Sequence, residues 1–131
     1  MSVWGIGAYY PREQIDKSSE FIKNAQIYIG YSEKEHPDYY MMLRSIALGD
    51  IIFIKARYML NKPMKIKAIG IATRTYGLGD KDGISVVWIK DFTKHPIDIE
   101  KDRFNDGSTR TIYQERNPIV INQIAELLKK S

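Results

Sequence analysis

The chain has 131 residues, 44% of them hydrophobic and 27% charged, which is typical of one globular domain over residues 1–131 and too apolar for a disordered chain. It has no cysteine. This excludes disulfides, thiolate zinc sites and cysteine nucleophiles, and it indicates a reducing compartment, most simply the cytoplasm. No apolar run approaches the roughly 18 residues of a membrane span, and no export signal opens the chain, so we expect no membrane partner.

Basic residues are concentrated in the later part of the chain. Residues 1–50 carry a charge of −2, whereas residues 51–131 carry +6. Between Asp50 and Asp80 there is no acidic residue, but there are six basic ones, namely Lys55, Arg57, Lys62, Lys65, Lys67 and Arg74. On neighbouring strands, these side chains would create a positive field suited to phosphates. Lysines that only solvate exposed strand faces give the same pattern, so both interpretations stay open.

The first half of the sequence predicts two strands, each followed by a helix. Residues 2–10 predict a strand in which two glycines leave one face with few side chains. Asp16 is placed to cap a short helix. Residues 26–31 predict the second strand, after which Pro37 can begin a helix that Gly49 ends.

The second half predicts several strands and one terminal helix. Strands are expected over residues 51–58, 65–75, 84–92 and 97–99, separated by a turn at 61–63 and a glycine-rich loop at 76–83. Residues 103–116 are polar and predict a loop. Asn117 and Pro118 then predict the cap and first position of a helix whose apolar stripe should pack on the sheet.

This order of elements predicts the fold class. Many strands with short connections of the antiparallel type, together with two or three helices, favour an α+β fold. We expect a small, curved, partly closed β-barrel with short helices between the early strands and a helix at the C-terminus.

Three segments then suggest a family. They are Trp4-Gly-Ile-Gly-Ala-Tyr-Tyr10, Ile27-Tyr-Ile-Gly-Tyr31 and Ile46-Ala-Leu-Gly-Asp-Ile-Ile-Phe-Ile-Lys55. In this order they resemble the PUA-like superfamily, especially its EVE- and YTH-type readers of modified bases. The resemblance covers roughly residues 2–92. Tyr31 stands where many EVE domains carry tryptophan.

The resemblance implies a function as well as a barrel. Such domains hold a flipped, modified base in an aromatic cleft beside a basic surface, and they often occur in modification-dependent restriction and antiviral systems. It therefore implies DNA or RNA as the ligand and a nuclease or other effector protein as a partner. This chain itself carries no visible nuclease motif.

Tyrosines and glycines of the early strands are the candidate pocket residues. Aromatic faces replace the stacking that an extruded base loses, at about 1–3 kcal/mol per base. Our candidates for the base or ligand pocket are Trp4, Gly7, Tyr9, Tyr10, Tyr28 and Tyr31. Each ring could instead be a core residue, and for Trp4 the two interpretations carry equal weight.

Lysines and arginines of the basic strands are the candidate contacts to a nucleic-acid backbone. Lys55 and Arg57 share a predicted strand face with Phe53, and such basic and aromatic mixtures suit nucleic acid. The full set is Lys55, Arg57, Lys65, Lys67, Arg74 and Arg110. These side chains could instead be solvated on exposed sheet faces. Arg110 could instead form ion pairs that fix the surrounding loop.

The sequence gives little sign of catalysis. His36 and His95 each precede a proline, and neither has a second histidine or a cysteine at ligand spacing. The glycine-rich segment 75–83 lacks the lysine and hydroxyl placement of a phosphate-binding P-loop. We therefore expect no catalytic residue, no metal and no cofactor.

The leading prediction is a non-catalytic nucleic-acid-binding module that recognises a modified or flipped base. Two alternatives stay open. One is a regulatory subunit that uses the tyrosine-rich surface to bind a partner protein. The other is a sensor of a nucleotide or small molecule, or a small hydrolase, that uses the same cleft.

Overall fold

The computed structural model describes residues 1–10, 12–56, 63–76, 83–99 and 110–130. Arg57 and most of the predicted turn at 61–63 lie outside the described residues. So do most of the loop at 76–83 and the first part of the 103–116 segment.

Three helices and nine strands occur in the described residues. The strands are β1 (Val3–Gly7), β2 (Tyr9–Tyr10), β3 (Ile15–Asp16), β4 (Gln26–Tyr28), β5 (Ile51–Ala56), β6 (Met64–Ala72), β7 (Gly83–Asp91), β8 (Ile97–Ile99) and β9 (Ile112–Glu115). The helices are α1 (Ser18–Asn24), α2 (Pro37–Ser45) and α3 (Pro118–Lys129). In the described part of the chain, these helices lack the length and apolar character that a membrane crossing requires.

The main sheet is mixed and curls into a half-barrel, which confirms the α+β class and the curved sheet. Six of its strands follow the order β4-β7-β6-β5-β1-β9, and β8 pairs with β6. β2 and β3 form a separate two-stranded ribbon. β1 runs parallel to β5, unlike the antiparallel connections that we expected. A parallel pair needs a long crossover, and here β2 to β4 with the first two helices supply it.

Several element boundaries differ from the prediction. The expected first strand divides at Ala8, whose carbonyl accepts a hydrogen bond of 2.7 Å from the Lys17 amide and so turns the chain into the β2–β3 ribbon. α2 ends at Ser45 and not at Gly49. Gly49 instead adopts a φ of 85° in the turn before β5, a conformation that glycine takes without strain.

Two helix starts show local capping. Asn117 caps α3 as predicted, because its side-chain oxygen accepts from the Ile119 amide at 3.0 Å. Asp16 lies one residue before the cap position of α1, which Lys17 occupies. Its carboxylate still accepts from the amide and the hydroxyl of Ser18, at 2.8 and 2.6 Å.

Each face of the sheet has its own apolar core. α1 and α2 cover one face, where Phe21 and Leu43 pack with Ile6 and Ile52. α3 covers the other face, where Val120 and Ile124 meet neighbours that include Val3, Phe53, Met64 and Ile69. This confirms the expected packing of the last helix on the sheet.

A buried carboxylate joins the start of β1 to the start of β5. Asp50 is 5% exposed, and its two oxygens accept from the Ser2 amide at 3.0 Å, the Trp4 indole nitrogen at 3.0 Å and the Ala47 amide at 2.9 Å. Burial alone would raise the pKa of Asp50, but these hydrogen bonds outweigh it and hold the pKa below its usual range. The group is therefore ionised and paired inside the fold.

Removing the indole donor tests this arrangement. Trp4→Phe keeps an aromatic ring in the core but takes one of three donors from the buried carboxylate. We expect the free energy of unfolding to fall by about 1–3 kcal/mol, because a buried charge loses a hydrogen bond. Urea unfolding followed by circular dichroism measures the change. An unchanged midpoint would show that the hydrogen bond from the indole to Asp50 does not stabilise the fold.

The depressed pKa of Asp50 also predicts a pH dependence. A carboxyl with a lower pKa in the folded state stabilises the fold fully above its unfolded pKa of about 4, and this contribution is lost as the pH falls through the folded value. Asp50→Asn should therefore have a lower free energy of unfolding than the wild type at pH 7. The difference between the two free energies should become smaller below about pH 5. Urea unfolding at a series of pH values checks this, and a constant difference would contradict it.

Candidate functional site

Three of the predicted pocket residues line a cleft on the surface. Tyr9, Tyr10 and Tyr31 surround about 290 Å³ of space that opens to solvent. The other lining residues are Arg12, Glu13, Gly30 and Thr111. We call this site the tyrosine cleft.

The remaining predicted pocket residues lie elsewhere. Trp4 is 5% exposed in the core, where its indole bonds to Asp50, so its interpretation as a pocket wall is corrected to a structural one. Tyr28 is half-buried, and its hydroxyl donates to Glu20 at 3.0 Å. Gly7 lies outside the lining of the cleft, although its amide helps to position it.

Three chain segments that are distant in sequence build the tyrosine cleft. The β2–β3 ribbon, in which Tyr9 pairs with Asp16, presents the first two tyrosines. The segment after β4 supplies Gly30 and Tyr31. The Gly7 amide donates to the Thr111 carbonyl at 2.7 Å, which brings the start of β9 to the same place.

Gly30 forms the surface against which the Tyr10 ring packs. A Cβ atom added at Gly30 would lie only 2.8 Å from Cζ of Tyr10. The ring also meets Tyr28 edge-on, with centroids 6.3 Å apart. Glycine therefore permits a close approach of ring and backbone that a larger residue would prevent.

The Tyr10 hydroxyl is buried and has no hydrogen-bond partner among the described residues. Burial, followed by the nearby Tyr28, Glu20, Tyr40 and Glu13, raises the pKa of Tyr10 above its ordinary value. The hydroxyl is therefore protonated at neutral pH. A buried polar group without a partner costs about 1–3 kcal/mol of stability.

The His36 and Tyr39 rings pack against the Tyr31 ring. His36 stacks on Tyr39 with centroids 4.2 Å apart and an interplanar angle of 6°, and the Tyr31 ring lies 4.5 Å from that of His36. The Tyr40 hydroxyl donates to the Tyr31 carbonyl at 2.7 Å. These contacts fix Tyr31 before any ligand binds, which lowers the entropy lost on binding.

Arg12 is a cleft residue that the sequence analysis missed, and its charge is balanced. Its guanidinium donates to Glu35 at 3.0 Å and lies 6.0 Å from the centroid of the Tyr31 ring. The Ser32 amide and hydroxyl bond to the same carboxylate, both at 3.1 Å. The Ser32 amide, then Arg12, lower the pKa of Glu35 to about 2, so this partner stays ionised at neutral pH.

Three of the five predicted backbone contacts that the structure describes are engaged within the protein. Lys55 is 6% exposed and its amine donates to the Arg110 carbonyl, so its prediction as a surface contact is corrected to an internal one. Lys65 pairs with Asp98 at 2.6 Å, and Lys67 pairs with Asp16 at 2.7 Å. A long side chain on a half-barrel can reach acceptors inside the fold, which alternation along a strand does not reveal.

The pairing of the strands decides which cations lie near the cleft. Lys65 and Lys67 lie toward the start of β6, at the end of the sheet where β1 and β5 finish and the cleft begins. Arg110 directly precedes Thr111 of the cleft and is exposed. Arg74 follows the last residue of β6 and therefore lies at the opposite end of the sheet.

The site offers binding groups and no visible set of metal ligands. Within the described residues, no group of three or more histidine and acidic side chains could hold a metal ion. The chain matches no known protein-family model, and no curated protein is similar to it at a significant level. The chemistry of the tyrosine cleft is therefore the basis for proposing a function.

Two glycine variants test the geometry of the cleft. Gly30→Ala should displace the Tyr10 ring and lower the free energy of unfolding by about 1–3 kcal/mol, because the new methyl group overlaps the ring. In Gly7→Ala, the nearest atom would be 3.7 Å from the new Cβ, so the change should stay within about 1 kcal/mol. Urea unfolding measures the stability of both variants, and the tyrosine signal in near-UV circular dichroism reports the packing of the ring. Equal losses of unfolding free energy in the two variants would contradict the packing of Tyr10 on Gly30.

Proposed function

We propose that this protein is a non-catalytic module that binds an unpaired base of DNA or RNA in the tyrosine cleft. The main support is the convergence of Tyr9, Tyr10 and Tyr31 on one surface hollow. Two of these rings come from β2, and the third comes from the segment after β4. The hollow is shallow and open to solvent, so a base would lie against the rings and would not be enclosed by them.

Stacking supplies the affinity in this proposal. Contact between a base and an aromatic side chain contributes about 1–3 kcal/mol, and it tolerates any base because every base has a π-face. Tyrosine adds a hydroxyl to the flat face, and the Tyr10 hydroxyl has no partner among the described residues. Because this hydroxyl is buried, only the ring of Tyr10 can contact a base in the cleft.

The cations at the same end of the sheet would hold the phosphates. Arg110 is exposed beside the cleft, and Lys65 forms an exposed ion pair with Asp98 at the same end of the sheet. Exposed ion pairs contribute only about 0–1 kcal/mol, so a phosphate can replace Asp98 as the partner of Lys65. The Lys67 side chain is largely buried in its pair with Asp16 and adds to the positive field there. Binding should then weaken as salt rises.

The curled half-barrel with three helices is compatible with a PUA-like fold of the EVE type, and we include that assignment in the proposal. It supports base recognition because such domains hold bases beside the barrel. A cytoplasmic role in restriction or antiviral defence, with a separate nuclease or effector, follows as part of the same proposal. Reconstituting the chain with candidate effectors would test that role.

Titration of fluorescently labelled single-stranded oligonucleotides tests the binding. We expect Tyr31→Ala to weaken binding by about 5- to 150-fold, because one stacking face is removed. Tyr31→Phe is the matched control, since it keeps the face and should bind within a few-fold of the wild type. Fluorescence anisotropy at two salt concentrations measures both.

The wild-type affinity should fall as the salt concentration rises. Absence of binding to every DNA and RNA oligonucleotide at low salt would refute the proposal. Equal binding by Tyr31→Ala and the wild type would place any binding site away from the tyrosine cleft.

A further inference from the structure

The charges that line the tyrosine cleft are unusual for a nucleic-acid site. Arg12 contributes one positive charge, but Glu35 pairs with it at 3.0 Å and remains ionised. Glu13 contributes a negative charge, and in the described part of the chain it makes no ion pair or hydrogen bond. Glu13 is also close enough to Arg12 to stabilise its guanidinium, so two carboxylates act on the one guanidinium that lines the cleft.

The tyrosine rings already attract cations. The guanidinium carbon of Arg12 lies 6.0 Å from the centroid of the Tyr31 ring, and the Lys17 amine lies 5.9 Å from that of Tyr10. Both distances are at the limit of cation–π contact, where the negative face of the ring attracts positive charge. Two of the three cleft tyrosines thus already lie close to positive charges of the protein.

Acidic side chains strengthen the negative potential around Tyr10. Besides its burial, the neighbouring Glu20 and Glu13 raise the pKa of the Tyr10 hydroxyl. Both carboxylates are therefore close enough to act on this ring. A flat ligand that carries a positive charge would gain from the rings and from Glu13 together.

We infer that the tyrosine cleft prefers a nucleobase made cationic by methylation of a ring nitrogen, such as 3-methylcytosine, over a neutral methylated base. The preference rests on the proposed function. Methylation at this position spreads a positive charge over a flat ring and its exocyclic amine. The amine can donate a charge-assisted hydrogen bond to Glu13 while the ring stacks on tyrosine. The methyl group also blocks Watson–Crick pairing, so the base leaves a helix more easily.

A pair of oligonucleotides that differ in the position of one methyl group tests the inference. One carries 3-methylcytosine, which is cationic, and the other carries 5-methylcytosine, which is neutral, at the same place in the same single strand. We expect the wild type to bind the first about 2- to 30-fold more tightly, the range of a cation–π contribution. Competition anisotropy at pH 7 and fixed salt measures the ratio.

Two carboxylate variants identify the origin of the preference. Glu13→Gln should reduce the ratio toward one by weakening the binding of the 3-methylcytosine strand, because the cationic base loses its charged acceptor. Glu126→Gln is the matched control, since it removes an exposed carboxylate on α3, outside the cleft lining, and should keep the wild-type ratio. Loss of the preference in both variants would mean that net charge, and not Glu13, causes it, which overturns the inference.

Failure of this inference is distinguishable from failure of the proposed function. Tight binding of the 5-methylcytosine strand with equal or weaker binding of the 3-methylcytosine strand overturns the cationic preference and leaves base binding intact. Binding of a trimethyl-lysine peptide, with no binding of either strand, overturns both. In that case the cleft would be an aromatic cage for a methylated protein.

Discussion

The buried Asp50 carboxylate is the contact on which the rest of the sheet depends. It accepts hydrogen bonds from Ser2, Trp4 and Ala47, and so it joins the first strand to the segment that opens β5. Those two strands are parallel, and no tight turn can hold a parallel pair in place. A side chain that forms hydrogen bonds to β1 and to the segment before β5 therefore aligns the two strands. Because the pKa of Asp50 is depressed, the same contact makes the alignment sensitive to acid.

The tyrosine cleft follows from this alignment. At the far end of β1, the Gly7 amide meets the Thr111 carbonyl, and the chain then turns into the ribbon that carries Tyr9 and Tyr10. Gly30 lets the Tyr10 ring pack closely on the segment after β4. The cleft thus joins three segments that are held by the ends of sheet strands. A site positioned by a sheet in this way is more precise than one held by loops alone.

Electrostatics divide the surface near the cleft into two parts. Inside it, Glu35 and Glu13 both act on the Arg12 guanidinium, so carboxylates outnumber the one guanidinium beside the tyrosine faces. Outside it, Lys65 lies in an exposed ion pair with Asp98 whose carboxylate a phosphate can replace. The +4 net charge of the chain therefore says little about the cleft itself. Selectivity for a ligand would come from the local rings and carboxylate, and affinity for a backbone would come from the neighbouring cations.

Periodicity and capping determined the local structure, because both act over a few neighbouring residues. Alternation predicted β5 and β6, an apolar run predicted β7, and Asn117 with the following proline predicted α3. The tertiary structure alone decided which side chains meet. β9 is only four residues long in a polar segment, and its partner β1 lies at the other end of the chain, so no local pattern identified it. In the same way, the burial of Trp4 and Lys55 and the place of Arg12 in the cleft depend on neighbours that are distant in sequence. A repeating pattern shows which face a side chain occupies, whereas only the assembled fold shows what covers that face.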